Sequence, residues 1–173
     1  MEEIEVPLEH AQEHIHHAAS HSGERWVTIS ALFSAVLAVL AALASLNAGQ
    51  HVNEALIHQI KASDQWGYYQ AKGIKLMLAE TRMDVAGESD KPAIAQKIAK
   101  YKDDQTEIKK KGDEETKLSE ESLEKHEMFA RAVTLFQIAI AMVAICLLVK
   151  KPWMLSISGA FSVVGIGFLI AGF

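Results

Sequence analysis

A chain of 173 residues with 50% hydrophobic residues and a mean hydropathy of +0.09 has the length of one ordinary domain, yet its charges are unevenly placed. Residues 1 to 25 hold six acids and one base, residues 50 to 128 hold sixteen acids and thirteen bases, and elsewhere only Arg131, Lys150 and Lys151 are charged. A net charge of −5 without a basic stripe gives no drive for nucleic-acid binding, and one cysteine, Cys146, excludes a disulfide framework or a thiolate metal site within the chain.

The first element, residues 1–25, reads as an acidic, His-bearing amphipathic tail: "EHAQEHIHHAASHS" (9–22) contains five of the eight histidines. At 100° per residue, His10, His14, His17 and His21 form one narrow stripe, with Leu8, Ala11, Ile15 and Ala18 roughly opposite. Imidazoles four apart can share one ion, and zinc, copper or nickel suits them, but one helix supplies only two or three ligands. Glu13, water or a second subunit would have to complete the shell. An amphipathic tail lying on a membrane surface and a pH sensor account for the same pattern, and the three readings stay open here.

Residues 26–48 carry no ionisable side chain. At about 1.5 Å per residue, such a helix crosses the roughly 30 Å hydrocarbon layer. An acidic rather than basic flank, and too long an apolar run, distinguish it from a cleaved signal peptide. Ser34, Ala38 and Ala42 repeat every four residues, a spacing that permits close approach of another helix.

Residues 49–128 contain one helix-breaking cluster, "GESDKP" at 87–92, where Gly87 can end one arm and Pro92 can begin the next. The expectation is a helical hairpin. Its first arm offers Val52, Leu56, Ile60, Trp66, Tyr69, Leu76 and Met83 as one buried stripe, with Trp66 and Tyr69 on one face as a contact between the arms and Tyr68 pointing elsewhere. The second arm is poorer: Ile94, Ile98, Tyr101, Ile108 and Leu118 sit among charges, and Gly112 costs a helix about 1 kcal/mol relative to alanine. His51 and His58 share a face near Asn47 and Glu54, and read as polar groups at a membrane exit.

Two further apolar stretches follow, 129–149 with Arg131 near its start and 153–173 beyond the break "KKP". Gln137, Thr134 and Ser162 are polar but not ionisable, so neither a pump nor a proton relay is expected. Gly159 and Gly167 lie on a four-residue lattice suited to self-association, and the "GIG" at 165–167 reads as helix packing. Trp26 and Trp153 open their stretches as interfacial aromatics do.

The fold class expected is therefore an all-α membrane protein, with three transmembrane helices and a long extramembrane antiparallel helical hairpin between the first and second. No nucleophile elbow, phosphate-binding glycine loop, HExxH or CxxC occurs, so no catalytic or cofactor-binding residue is expected.

The run "HVNEALIHQIKASDQWGYYQAKGIK" (51–75), above all "ASDQWGYYQAKGIK", resembles a bacterial membrane-protein family catalogued as domain of unknown function 4337. The likeness extends to "MEEIEVP" and to the paired C-terminal stretches. It implies a bacterial inner-membrane protein and carries over no site. Arg25, Lys150 and Lys151 border the stretches on one side and Arg131 on the other, which puts the tail in the cytoplasm and the hairpin in the periplasm. The functional expectation is a self-associating scaffold or partner-binding module in a lipid bilayer, as a homo-oligomer. The alternatives are an oligomeric channel with an apolar gate and a metal- or pH-responsive membrane protein.

Overall fold

The structure, a computed structural model, describes Glu13, Ile15 and residues 25–173. The histidine stripe His10, His14, His17 and His21 lies outside the described residues. From residue 25 onward the chain forms helix α1 (Arg25–Val85, 61 residues), helix α2 (Lys91–Val149, 59 residues), a 3-10 turn (Pro152–Met154) and helix α3 (Leu155–Ala171, 17 residues). Three helices are long and apolar enough to cross a membrane. The described residues divide into two compact units, one within Met1–His51 and Glu124–Phe173 and one of Val52–Leu123. The non-helical break is 86–90, slightly ahead of the expected cluster, because Lys91 and Pro92 already belong to the first turn of α2. Proline is well suited there, since early helical N–H groups have no partner within the helix.

In the first unit, small residues pack on large ones. Leu37, Ala41 and Ala44 of α1 meet Ala132, Phe136, Ala139, Ile140 and Val143 of α2, and Ile15 is buried in the same cluster. Ile15 belongs to the apolar row of the tail, so that row has a member packed against protein. Helix α3 approaches through glycine and serine. A methyl group added at Gly165 would stand 2.9 Å from Cε1 of Phe136, and one at Gly172 equally close to Cζ of Phe129. Ser158 Oγ donates to the Ala139 carbonyl at 2.7 Å, satisfying a buried hydroxyl across two helices. In an apolar solvent, packing of this kind and such hydrogen bonds hold helices together, because burial of apolar surface gains little.

The end of α2 is closed by backbone geometry. Lys150 has φ 55°, and the Lys151 N–H donates to the Cys146 carbonyl at 3.3 Å. A left-handed residue followed by this long-span bond is the Schellman arrangement, here with lysine where glycine is usual. Cys146 Sγ donates to the Lys151 carbonyl at 3.2 Å.

In the second unit, the inward positions of α1 are Ala55, His58, Ala62, Gln65, Tyr69, Lys72, Leu76, Ala79 and Met83, alternating in steps of three and four. Those of α2 follow the same rule from Ile94 through Gly112, Glu115 and Ser119. Leu56 and Ile60, expected in the buried stripe, are 56% and 62% exposed, and Leu118 is also exposed. The three-four rhythm selects Ala55, His58 and Ala62 instead, and alanine lets the backbones come close.

Candidate functional site

The contact between the arms is built largely from polar groups. His58 Nδ1 lies 2.6 Å from Glu115 Oε2, Lys72 Nζ lies 2.6 Å from Asp104 Oδ2, and Ser119 Oγ donates to the Ala55 carbonyl at 2.9 Å. Gln105 Nε2 donates to the Tyr69 carbonyl at 3.3 Å. The hydrogen bond from Lys72, with the charges of Lys72 and Lys100, holds the Asp104 carboxyl below its usual 3.8 against the opposing effect of desolvation. Trp66 and Tyr69 meet edge to face at 5.8 Å. Trp66 lies over the bare backbone of Gly112, where an added methyl would come within 3.3 Å of its Cε2. The glycine that weakens the second arm as an isolated helix thus makes room for the indole. Tyr68 is exposed.

The opposite face of the first arm is uncovered. Ile57, Ile60, Ile74 and Leu78 are each more than half exposed, with Gly67 and Ala71 between them on the same three-four rhythm and Asp64 the one charge in the row. Nothing stands within 4 Å of a methyl group added at Gly67. The alternation 57, 60, 64, 67, 71, 74, 78 was present in the sequence. Apolar residues on both sides of the arm, such as Leu56 and Leu76, leave the sequence without a contrast between its faces.

Among the small residues expected to mediate self-association, Ser34 is buried inside the unit, Ala38 is half-buried and Ala42 is exposed. Gly159 and Gly167 face open space, whereas Gly165 makes the close approach within the unit. Thr134 and Ser162 donate to carbonyls one turn earlier in their own helices.

A collar of rings closes the first unit at one end. His51 stacks on Phe129 at 5.6 Å and 7°, Phe129 meets Phe173 edge to face at 5.2 Å, and His126 Nδ1 lies 2.9 Å from the Ala48 carbonyl. That oxygen is only an acceptor, so Nδ1 carries the proton and Nε2 is left as an acceptor in the neutral ring. His51 and His58 therefore serve different contacts, one in the collar and one between the arms. Among the described residues, no three His, Cys, Asp or Glu side chains are grouped to hold a metal ion. Asn47 donates to the Leu43 carbonyl of its own helix.

Beside the collar, a shallow cleft of about 480 Å³ is lined by His126, Glu127, Arg131, Thr134, Leu135 and Phe168, among others. Arg131 Nη2 donates to Glu127 Oε2 at 3.0 Å, and its guanidinium carbon stands 5.9 Å from the centre of the Phe168 ring. The sequence presented Arg131 as a solitary charge near the end of an apolar stretch. Its association with Phe168 joins positions far apart in the chain, and no local pattern announces it.

Neither the curated proteins nor the solved structures contain a match to the chain. The family model described as domain of unknown function (DUF4337) matches residues 26–173, and the chain belongs to that family.

Proposed function

We propose that this is a multi-pass protein of a bacterial inner membrane whose charged helical arms lie outside the hydrocarbon and bring copies together as a scaffold. The observation that carries the reading is the uncovered row Ile57, Ile60, Gly67, Ala71, Ile74 and Leu78 on the first arm, in which Asp64 is the one charge. Exposed apolar side chains in water favour burial, each contributing about 1.5–3 kcal/mol when fully covered. Copies inserted in one bilayer with the same sidedness present this row at the same height, so a second first arm meets it in parallel and in register. Glycine and alanine at the middle of the row permit close approach there. The exposed lysines 150 and 151 favour a cytoplasmic turn and periplasmic arms.

The test is the mass of the full chain in lipid nanodiscs, for the wild type and for Ile60→Glu combined with Ile74→Glu. Both positions are exposed, so the variant keeps its helical content. The wild type is expected as an oligomer and the variant as a monomer; a monomeric wild type, or an unchanged variant, removes the proposal.

A further inference from the structure

The geometry points to a binding site for a phospholipid with a primary ammonium headgroup in the cleft formed by Glu127, Arg131, His126, Leu135 and Phe168. The inference rests on the membrane-spanning reading of the three helices. The His126–Ala48 hydrogen bond and the stacking of His51 on Phe129 hold the end of the apolar stretch 26–48 level with the start of the stretch 129–149, and Phe129 also touches Phe173 of the third. Arg131 is two residues inside that level, which is headgroup depth for a side chain that reaches back towards water. Leu135, one turn deeper on α2, and Phe168 on α3 supply an apolar wall in line with an acyl chain.

The charges select the headgroup. Arg131 uses one of its five N–H donors on Glu127, leaving a planar fork suited to two phosphate oxygens. Glu127 and Arg131 lie four apart on α2, about 5–6 Å between their Cβ atoms, and their charges cancel. An anionic headgroup would bring a net negative charge to this neutral pair, with its phosphate beside the Glu127 carboxylate. A zwitterion with phosphate and ammonium two carbons apart satisfies both partners. The Glu127 carboxylate and the His126 Nε2 lone pair accept N–H hydrogen bonds, which a primary ammonium offers and a quaternary ammonium lacks. A quaternary ammonium favours an open aromatic face, and the ring here, Phe168, is covered by Arg131.

Native mass spectrometry of the detergent-solubilised full chain tests this with phosphatidylethanolamine, phosphatidylcholine and phosphatidylglycerol of identical acyl chains, and with soluble glycerophosphoethanolamine. Phosphatidylethanolamine is expected to bind about tenfold more tightly than either other lipid. Glu127→Gln and Arg131→Gln should each abolish that preference, whereas Lys150→Gln should keep it; circular dichroism verifies that all three variants retain their helices. Equal binding of the three lipids, a preference for phosphatidylglycerol, or an unaltered Glu127→Gln variant overturns the proposal. Glycerophosphoethanolamine binding as tightly as the lipid also overturns it, since the site would then take a free phosphoester. Carbonate washing of membranes separates the two levels: release of the chain without detergent defeats the membrane reading itself, while retention without lipid preference defeats this inference alone.

Discussion

His58 Nδ1 and Glu115 Oε2 stand 2.6 Å apart and join α1 to α2 across 57 residues of sequence. Each side chain is about a quarter exposed, at 24% and 25%, so solvent screens the contact only in part. His58→Ala leaves the carboxylate facing an emptied position in the seam, and the expected loss is about 1 kcal/mol. A double-mutant cycle with Glu115→Ala, read by chemical denaturation followed by circular dichroism, should give a coupling of about 0.5–1 kcal/mol. Additive single effects would show that the contact contributes nothing as a pair.

Gly165 and Gly167 are two residues apart and should respond oppositely to the same substitution. A methyl group at Gly165 meets Phe136 Cε1 at 2.9 Å and Leu135 Cβ at 3.3 Å, so α3 must shift. Gly165→Ala is expected to destabilise by about 1–3 kcal/mol, as overpacking does. Gly167 faces open space, and Gly167→Ala should leave unfolding in detergent within about 0.5 kcal/mol of the wild type. A change confined to oligomeric mass in Gly167→Ala would assign that face to another copy.

The Lys72–Asp104 contact predicts the acid side of the stability profile. The Asp104 carboxyl is held below 3.8 by the hydrogen bond from Lys72, so the folded state binds this proton less readily than the unfolded one. Its contribution is complete above pH 3.8 and is lost as pH falls through the depressed folded value. Asp104→Asn should flatten the wild-type decline over that acid window and leave the slope at neutral pH unchanged, as measured by denaturant midpoints across pH.

Lys150 adopts φ 55°, where a Cβ atom crowds the following carbonyl. Lys150→Gly removes that crowding and should raise stability by about 1 kcal/mol, while Lys150→Val should lower it by at least as much. Thermal melts of the three proteins in one detergent give the comparison. A glycine variant no more stable than the wild type would mean that the lysine side chain contributes an equal stabilisation.

The elements were legible because their signals are local. Absence of charge over some twenty residues marks each apolar stretch, and Gly87 with Pro92 marks the break. Faces were less legible on the arms, where apolar residues lie on both sides of α1. Leu56 and Ile60 fit a helical stripe, yet the partner helix selects Ala55 and Ala62, the residues that allow close approach. Cross-chain relationships were not legible at all. Nothing near Arg131 predicts Phe168, and nothing near Gly112 predicts the indole of Trp66. His51 and His58 do share a helix face, but the partners that differentiate them, Phe129 and Glu115, come from the distant second helix.

A slide of one arm on the other by seven residues would exchange Ala55 for Ala62 with little change of shape, but would carry the Trp66 indole off Gly112 and onto Gln105 or Ser119. The hydrogen-bonded pairs His58–Glu115 and Lys72–Asp104, together with Ser119 on the Ala55 carbonyl, favour the same alignment as that fit. Deleting all three would leave the indole over Gly112 as the contact that still opposes a slide by seven residues.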